Sequence, residues 1–485
     1  MQAAGLIQPS EPAPASRCCP YPSIEHEREA RTYAASEHAR LINSVLPPLL
    51  LRLRSIKDTR QPKKIKHALS CLMLYGILIF VLHFASRREA NTEITRPMFE
   101  HNLRLLFPEL DTLPHADTLY RLLCKIEVTQ IEQAHIDLLR RLIRKKKFAN
   151  YLINNCYPIA IDGTQKVGNC SFWSDSLQQR RLSDAPSNSE LPQQPVYQYY
   201  VYVLEANLCF HNGMVIPLMS EFLDYQQGDR EQNKQDCETR AFHRLAERIK
   251  QAFPKLPVMM LLDGLYPSGP VLKRCRDYHW DFMIVLKDGS LPKLWEEYHG
   301  LLALSPDQEH RQHWGERTQH FRWVNDIRYE YGPNARHHLE LHLVVCQEQW
   351  QGLDEHNQML TQTATHAWIS SRRLWRNNLH ERCNLGARHR WGIESCNLVE
   401  KHQGYHYEHL FAQNWNAMRG YHYLMRLAHL LNTLARFSSA LAKTHLELGV
   451  RAFIQFVRST CSGPWFDSAA LTQRLQNPVF RLRLT

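Results

Sequence analysis

The segment Pro257–Leu286, PVMMLLDGLYPSGPVLKRCRDYHWDFMIVL, decides the fold. It contains two short apolar runs, Pro257–Asp263 and Asp281–Leu286, whose lengths are typical of buried strands. The residues between them, Ser268–Tyr278, have the pattern of a helix. A strand, a helix and a second strand in succession indicate an α/β fold.

Three further strand candidates precede this segment. They are Tyr157–Asp162, Gln198–Leu208 and Met214–Phe222, and an amphipathic helix over 234–251 follows them. Three leading strands followed by helix–strand–helix–strand predict a mixed sheet with flanking helices. We assign this α/β domain to residues 151–440.

A β-rich insertion is predicted at residues 287–370 because the α/β order is interrupted there. Its strand candidates are His320–Tyr331, His337–Cys346 and Ala367–Ser370. Helices return at about 378–402 and 411–436, and residues 441–485 give only weak signals, so we expect a C-terminal tail there.

The N-terminal part of the chain is predicted to be helical. Residues 1–30 are rich in Pro, Ala and Ser and are expected to form a flexible tail, whereas residues 31–150 are expected to form a helical domain. The apolar run Ala68–Ala85 also contains Tyr75 and His83, which favours a buried core helix over a membrane span.

Charge and cysteine usage restrict the class of protein. The formal net charge is +11, and basic runs at Arg52–Lys66 and Arg140–Lys147 favour a polyanionic partner such as nucleic acid. Together the two runs predict that the helical domain of residues 31–150 binds DNA. The 13 cysteines include no CxxC pair, which argues against a zinc ribbon and against a secreted disulfide scaffold. A reducing, cytoplasmic location is the simpler expectation.

Two predicted strands end in an acid followed by glycine, at Asp162-Gly163 and Asp263-Gly264. A carboxylate at a strand end is held rigidly at the rim of the sheet, and glycine leaves room for a ligand. Each pair alone is also consistent with an ordinary Asp-Gly turn.

A third acid, Glu394, lies in the helical segment Arg388–Lys401, RHRWGIESCNLVEK. On a regular helix, Arg390 lies about 40° and Lys401 about 20° from Glu394, on the same side. These three residues are therefore predicted to form one charged stripe, from which Glu400 is excluded. The alternative is a surface helix with i,i+4 ion pairing.

In the order and setting of these acids, the chain resembles the DDE transposases of bacterial insertion sequences, in the IS4-like group. The second acid lies 101 residues after the first, and the third lies 131 residues after the second, which leaves room for the insertion. Arg390, Glu394 and Lys401 match the spacing of the family signature around its glutamate, whereas Ala387 occupies the position of the signature tyrosine.

The resemblance implies an RNase H-like core and a catalytic metal site formed by Asp162, Asp263 and Glu394. These acids would hold two Mg²⁺ ions, with Mn²⁺ as a possible substitute, for cleavage at transposon ends and strand transfer into target DNA. Arg390 and Lys401 would bind phosphates beside the scissile bond. The implied partners are double-stranded DNA, as terminal inverted repeats and as target, and a second copy of the chain on paired ends.

Three other readings remain open. The chain could be an RNase H-like nuclease that cuts without inserting, or a DNA-binding protein from a decayed element. It could also be a basic membrane-associated protein anchored by Ala68–Ala85, although we expect no membrane partner.

Overall fold

Ten strands form one mixed sheet in the computed structural model, which describes residues 18–182, 197–225, 236–353, 359–476 and 482–485. The strands are β1 Tyr157–Asn169, β2 Gln178–Arg181, β3 Tyr197–Cys209, β4 Val215–Phe222, β5 Val258–Leu262, β6 Asp281–Val285, β7 Glu309–Trp314, β8 Arg317–Tyr331, β9 His337–Leu353 and β10 Met359–Ser370.

The central strands have the RNase H-like arrangement. Strand β3 pairs antiparallel with both β1 and β4, whereas β5 pairs parallel with β1 and with β6. The resulting order is β4–β3–β1–β5–β6, and the short strand β2 pairs with the first part of β3. The predicted mixed α/β fold is confirmed.

Helices cover this sheet and fill the N-terminal and C-terminal regions. They are α1 Ile24–Arg54, α2 Leu69–Val81, α3 Arg87–Ile94, α4 Pro97–Leu106, α5 Ala116–Leu123, α6 Thr129–Arg144, α7 Glu238–Ala252, α8 Gly269–Asp277, α9 Pro292–Leu304, α10 Arg376–Leu379, α11 Gly392–His402, α12 Trp415–Arg436, α13 Ala442–Leu448, α14 Val450–Ser462 and α15 Ser468–Gln476.

The continuous apolar runs of β1 and β5 arise because both faces of the sheet are buried. Along β1, Ile159 and Ile161 join the large core shared with the N-terminal helices, while Ala160 joins a second core on the opposite face. In β5, Met260 belongs to the large core and Met259 to the second core. Strands covered on both faces do not alternate between apolar and polar residues. A short continuous apolar run, rather than an alternating pattern, therefore allowed these strands to be predicted.

The N-terminal helices differ from the sequence prediction in where the first helix begins. Helix α1 begins at Ile24, with the Ser23 hydroxyl accepting a hydrogen bond from the His26 backbone N–H, so residues 24–30 of the predicted tail are helical. Residues 1–17 lie outside the described part of the chain. Helix α2 is buried against α1, α5 and α12, as expected for a core helix.

No helix in the described ranges is long and apolar enough to cross a membrane.

The insertion extends the main sheet. Strand β10 pairs antiparallel with β6, and β9, β8 and β7 follow outward. Strands β8, β9 and part of β10 were predicted, whereas β7 and the helix α9 were not. The residues of β7, EHRQHW, are polar and partly exposed, so this strand lacks an apolar pattern.

The helix predicted at 378–402 is not continuous. A π-helical turn at His380–Gly386 and a 3₁₀ turn at Ala387–Trp391 separate α10 from α11. Residues 442–476, expected to belong to a C-terminal tail, form α13, α14 and α15, and the last two pack against α1 and α4. Phe453, Ile454 and Val457 of α14 provide the apolar face for this contact.

Candidate metal site

Asp162 lies in the interior of β1, contrary to the prediction that the strand ends there. The strand continues to Asn169, and Asp162 is level with Glu205 of β3. Gly163 is therefore not part of a turn. A Cβ atom at position 163 would lie 2.5 Å from the Tyr202 ring and 2.6 Å from Glu238 Oε1, so close lateral packing requires the glycine.

Asp263 follows the last residue of β5, as predicted. Its Oδ1 accepts a hydrogen bond from the Leu265 backbone N–H at 2.9 Å, and its carbonyl accepts one from the Tyr266 N–H at 3.2 Å. These bonds form the expected Asp-Gly turn.

The strand register brings the two aspartates together. Parallel pairing joins Tyr157 to Val258 and Ala160 to Leu261. Continuing this register places Asp162 level with Asp263, and residues that are level in neighbouring strands direct their side chains to the same face. The spacing of 101 residues in the sequence is therefore also the offset between the paired strands.

Glu394 lies in the first turn of α11, which packs against β1. Arg390, in the preceding 3₁₀ turn, donates a hydrogen bond from Nη2 to Glu394 Oε1 at 2.8 Å. The arginine side chain is only 5% exposed, and its Nε and Nη1 have no hydrogen-bond partner among the described residues. The guanidinium also lies 4.3 Å from the centre of the Trp391 ring, and its two unpartnered nitrogens are buried donors.

Burial raises the pKa of Asp162 to about 7. The positive charge of Arg390 opposes this shift, whereas the negative charges of Glu394, Asp263 and Glu238 add to it. All four residues therefore lie near enough to act on one carboxyl group. Mutual repulsion between acids favours the binding of a cation.

The oxygen-rich donor set fits a hard divalent ion such as Mg²⁺. The three predicted acids are each only partly buried, so a ligand can reach them. Among the described residues, three potential ligand atoms lie within 4.8 Å of one another only at Cys396, Glu400 and His429. The oxygens of Asp162, Asp263 and Glu394 are therefore spaced more widely than that. In this conformation Glu394 faces Arg390.

The buried Cys396–Glu400–His429 group is better explained as structural. Glu400 Oε1 accepts a hydrogen bond from Arg426 Nη1 at 2.8 Å and lies 2.6 Å from His429 Nδ1. The guanidinium already neutralises this carboxylate and would repel a metal ion.

Glu394 and Lys401 lie seven residues apart in the same helix α11, whereas Arg390 lies in the preceding 3₁₀ turn. Lys401 Nζ binds Glu408 Oε1 at 3.0 Å, and 21% of the lysine side chain is exposed. The structure therefore brings Arg390 to Glu394 but pairs Lys401 with a different acid.

Two features near Asp263 were not assigned to the site from the sequence. Lys287, after β6, places Nζ 4.0 Å from Asp263 Oδ2 and leaves 62% of its side chain exposed. A cavity of about 420 Å³ adjoins it, lined in part by Trp295, Trp368 and Trp391. The lysine and the tryptophans form one surface beside the second acid.

Glu238 is an acid that the sequence reasoning missed. It is the first residue of α7, and its charge acts on Asp162. The helix over 234–251 was predicted, but an acid in a first helical turn is common because it stabilises the helix dipole. Only the packing of α7 against β3 and β4 gives this glutamate another significance.

Comparison with known families gives one match. Residues 50–139 match the family model described as DDE_Tnp_1-associated. This segment runs from the end of α1 through most of α6, outside the sheet and its acids. The match associates the chain with DDE-type transposases through its helical region. No curated protein matches the chain.

Proposed function

We propose that the protein is a DDE transposase, of the IS4-like group, that cleaves DNA at transposon ends and joins these ends to target DNA. The observation that supports the proposal is that the negative charges of Glu394 and Asp263 both act on Asp162, which the β1–β5 register sets level with Asp263. The transposase-associated match at residues 50–139 supports it independently, because that segment contains none of these acids.

Asp162, Asp263 and Glu394 would hold two Mg²⁺ ions, with Mn²⁺ as a substitute. When bound, two divalent ions neutralise phosphate oxygens and lower the pKa of water. Cleavage joins a water oxygen to phosphorus and breaks a P–O3′ bond, leaving a 5′-phosphate and a free 3′-hydroxyl. In the joining step this hydroxyl attacks a target phosphodiester and displaces a new 3′-hydroxyl.

Arg390 would bind a phosphate oxygen beside the scissile bond. Its two unpartnered nitrogens can donate hydrogen bonds to an anion while Nη2 retains Glu394. Lys401, in the last turn of α11, would contact a second phosphate after its ion pair with the exposed Glu408 breaks.

Exposed lysines and arginines offer a surface for the DNA flanking the cleaved end. One group lies after α1 and another at the end of α6: Arg54, Lys57, Lys63, Lys64, Lys66, Arg141, Arg144, Lys145 and Lys146. Contacts of this kind give affinity without sequence specificity. We further propose that two copies act together on paired ends.

The DNA flanking the gene provides the test. The purified protein, given Mg²⁺ and a duplex carrying a candidate terminal repeat, should cut at the repeat end and join that end to a second duplex. A shuffled duplex is the control. Cutting without joining would favour the RNase H-like nuclease, and binding without cutting would favour the decayed DNA-binding protein.

A further inference from the structure

Glu238 joins two tyrosines, one on β3 and one in the turn that follows β5. Its Oε1 accepts a hydrogen bond from the Tyr202 hydroxyl at 2.6 Å, and its Oε2 accepts one from the Tyr266 hydroxyl at 3.5 Å. The glutamate is half-buried and Tyr266 is buried. One carboxylate therefore fixes the ends of two aromatic side chains.

Tyr202 belongs to the strand beside Asp162. It lies on β3, which pairs with β1, and its ring and Glu238 Oε1 fill the space above Gly163. Tyr202 and Glu238 therefore pack directly against the residue that follows Asp162. This contact explains why a glycine is needed inside the strand.

Tyr266 belongs to the turn that carries Asp263. Its backbone N–H binds the Asp263 carbonyl, while its ring packs 5.3 Å from that of Phe242 on α7. The hydroxyl bond to Glu238 therefore ties this turn to the start of α7. The start of α7 therefore contacts both the segment that bears Asp162 and the segment that bears Asp263.

Both tyrosines remain protonated and can donate to the carboxylate. Burial is the largest cause that raises the pKa of each hydroxyl, and the negative charge of Glu238 adds to it. The two hydroxyl contacts, at 2.6 Å and 3.5 Å, hold the Glu238 carboxyl group between Tyr202 and Tyr266. The carboxylate charge also remains close to Asp162.

We propose that Glu238 is a positioning residue for the metal site, which holds the Asp162 and Asp263 segments at the spacing needed to share divalent ions. This inference rests on the proposed function, because it assumes that these acids bind metal. Groups that orient metal ligands typically change metal affinity about 10–100-fold when they are mutated.

Glu238→Gln tests the inference because the amide is nearly isosteric, lacks the charge and loses one acceptor. The control is Glu247→Gln, an exposed glutamate on the same helix. The first measurement is Mn²⁺ binding to the full chain without DNA. The second is the dependence of DNA cleavage on Mg²⁺ concentration, with thermal unfolding recorded for each variant.

We expect Glu238→Gln to weaken Mn²⁺ binding and to raise the half-saturating Mg²⁺ concentration by about tenfold. Saturating Mg²⁺ should restore the cleavage rate to within a few-fold of wild type, and Glu247→Gln should match wild type throughout. Tyr266→Phe should shift the metal dependence in the same direction, which supports the inference even where Glu238→Gln folds poorly.

Unchanged metal dependence in Glu238→Gln, or a loss of cleavage that Mg²⁺ does not restore together with a lower unfolding temperature, would overturn the inference. Failure of the proposed function is distinguishable from this result. If wild type neither binds Mn²⁺ nor cuts DNA, both proposals fail. If wild type cuts, Asp162→Asn does not, and Glu238→Gln behaves as wild type, only the positioning role fails.

Discussion

Arg390 Nη2 lies 2.8 Å from Glu394 Oε1, within a site that also contains Asp162 and Asp263. The bond holds Glu394 toward the arginine and leaves two other guanidinium nitrogens without partners among the described residues. Arg390 thus combines two properties: it orients one proposed metal ligand, and it has two buried donors without a partner among the described residues.

Arg390→Ala should reduce Mg²⁺-dependent cleavage by about 100-fold, because a buried, fixed donor to the reacting phosphate is lost. Arg390→Lys should recover only part of the rate, since an ammonium keeps the charge but not the planar set of donors. Single-turnover cleavage rates measure both effects. Arg376→Ala, at an exposed position upstream, should leave the rate unchanged, and equal rates in Arg390→Ala and Arg376→Ala would be inconsistent with the proposed contact.

Lys401→Ala should weaken binding to the terminal repeat and lower the salt slope of binding by about one. Glu408→Gln is the matched variant, because it removes the acid that pairs with Lys401. It should maintain or increase DNA affinity. Fluorescence anisotropy over a range of salt concentrations gives both quantities. An unchanged slope in Lys401→Ala would mean that this lysine does not contact phosphate.

Glu348→Ala should destabilise the protein by about 3–5 kcal/mol, because it leaves buried guanidinium groups without their carboxylate. Glu348 is fully buried on β9, where it binds Arg317 at 2.8 Å and also Arg388. Urea denaturation measures the loss. Glu340→Ala, exposed on the same strand, should change stability by no more than about 0.5 kcal/mol. A loss below about 1 kcal/mol in Glu348→Ala would show that Arg388 and Arg317 do not depend on this acid.

His135→Gln should make the free energy of unfolding less dependent on pH in mild acid. Burial lowers the pKa of His135 to about 4, while its hydrogen bond to the Pro217 carbonyl opposes the shift. Between about pH 6.5 and 4 the unfolded chain takes up a proton at this position that the folded chain does not. Wild type should therefore lose up to about 1.4 kcal/mol more stability per pH unit than the variant as pH falls.

Chemical denaturation at several pH values between 7.5 and 4.5 tests this difference. His101→Gln, at an exposed position on α4, should keep the wild-type dependence. Identical curves for wild type and His135→Gln would mean that the buried imidazole is protonated in the folded state.

The central sheet could be predicted because its strands are apolar on both faces and are separated by clear helix and turn signals. Asp263 followed from the same pattern, since its turn immediately follows β5. The prediction that β1 ends at Asp162 was wrong, because the strand continues to Asn169. Glycine at position 163 was interpreted as a turn residue, whereas its role is to make room for Tyr202 and Glu238.

Features that depend on tertiary contacts could not be predicted. The pairing of Lys401 with Glu408 depends on how the chain folds back after α11, and the 3₁₀ turn at Ala387–Trp391 removes the regular helical geometry assumed for Arg390. Glu238 carries no local signal beyond its place in a first helical turn. Its relation to Asp162 arises only when α7 packs beside the sheet.

The most direct test of the central claim is Mg²⁺-dependent cleavage of a terminal-repeat duplex by Asp162→Asn. Because the raised pKa of Asp162 indicates that a neutral side chain is tolerated there without metal, asparagine should preserve the fold and DNA binding. We predict that cleavage falls to background while DNA affinity stays near wild type. Undiminished cleavage by Asp162→Asn would contradict the assignment of Asp162, Asp263 and Glu394 as the catalytic metal site.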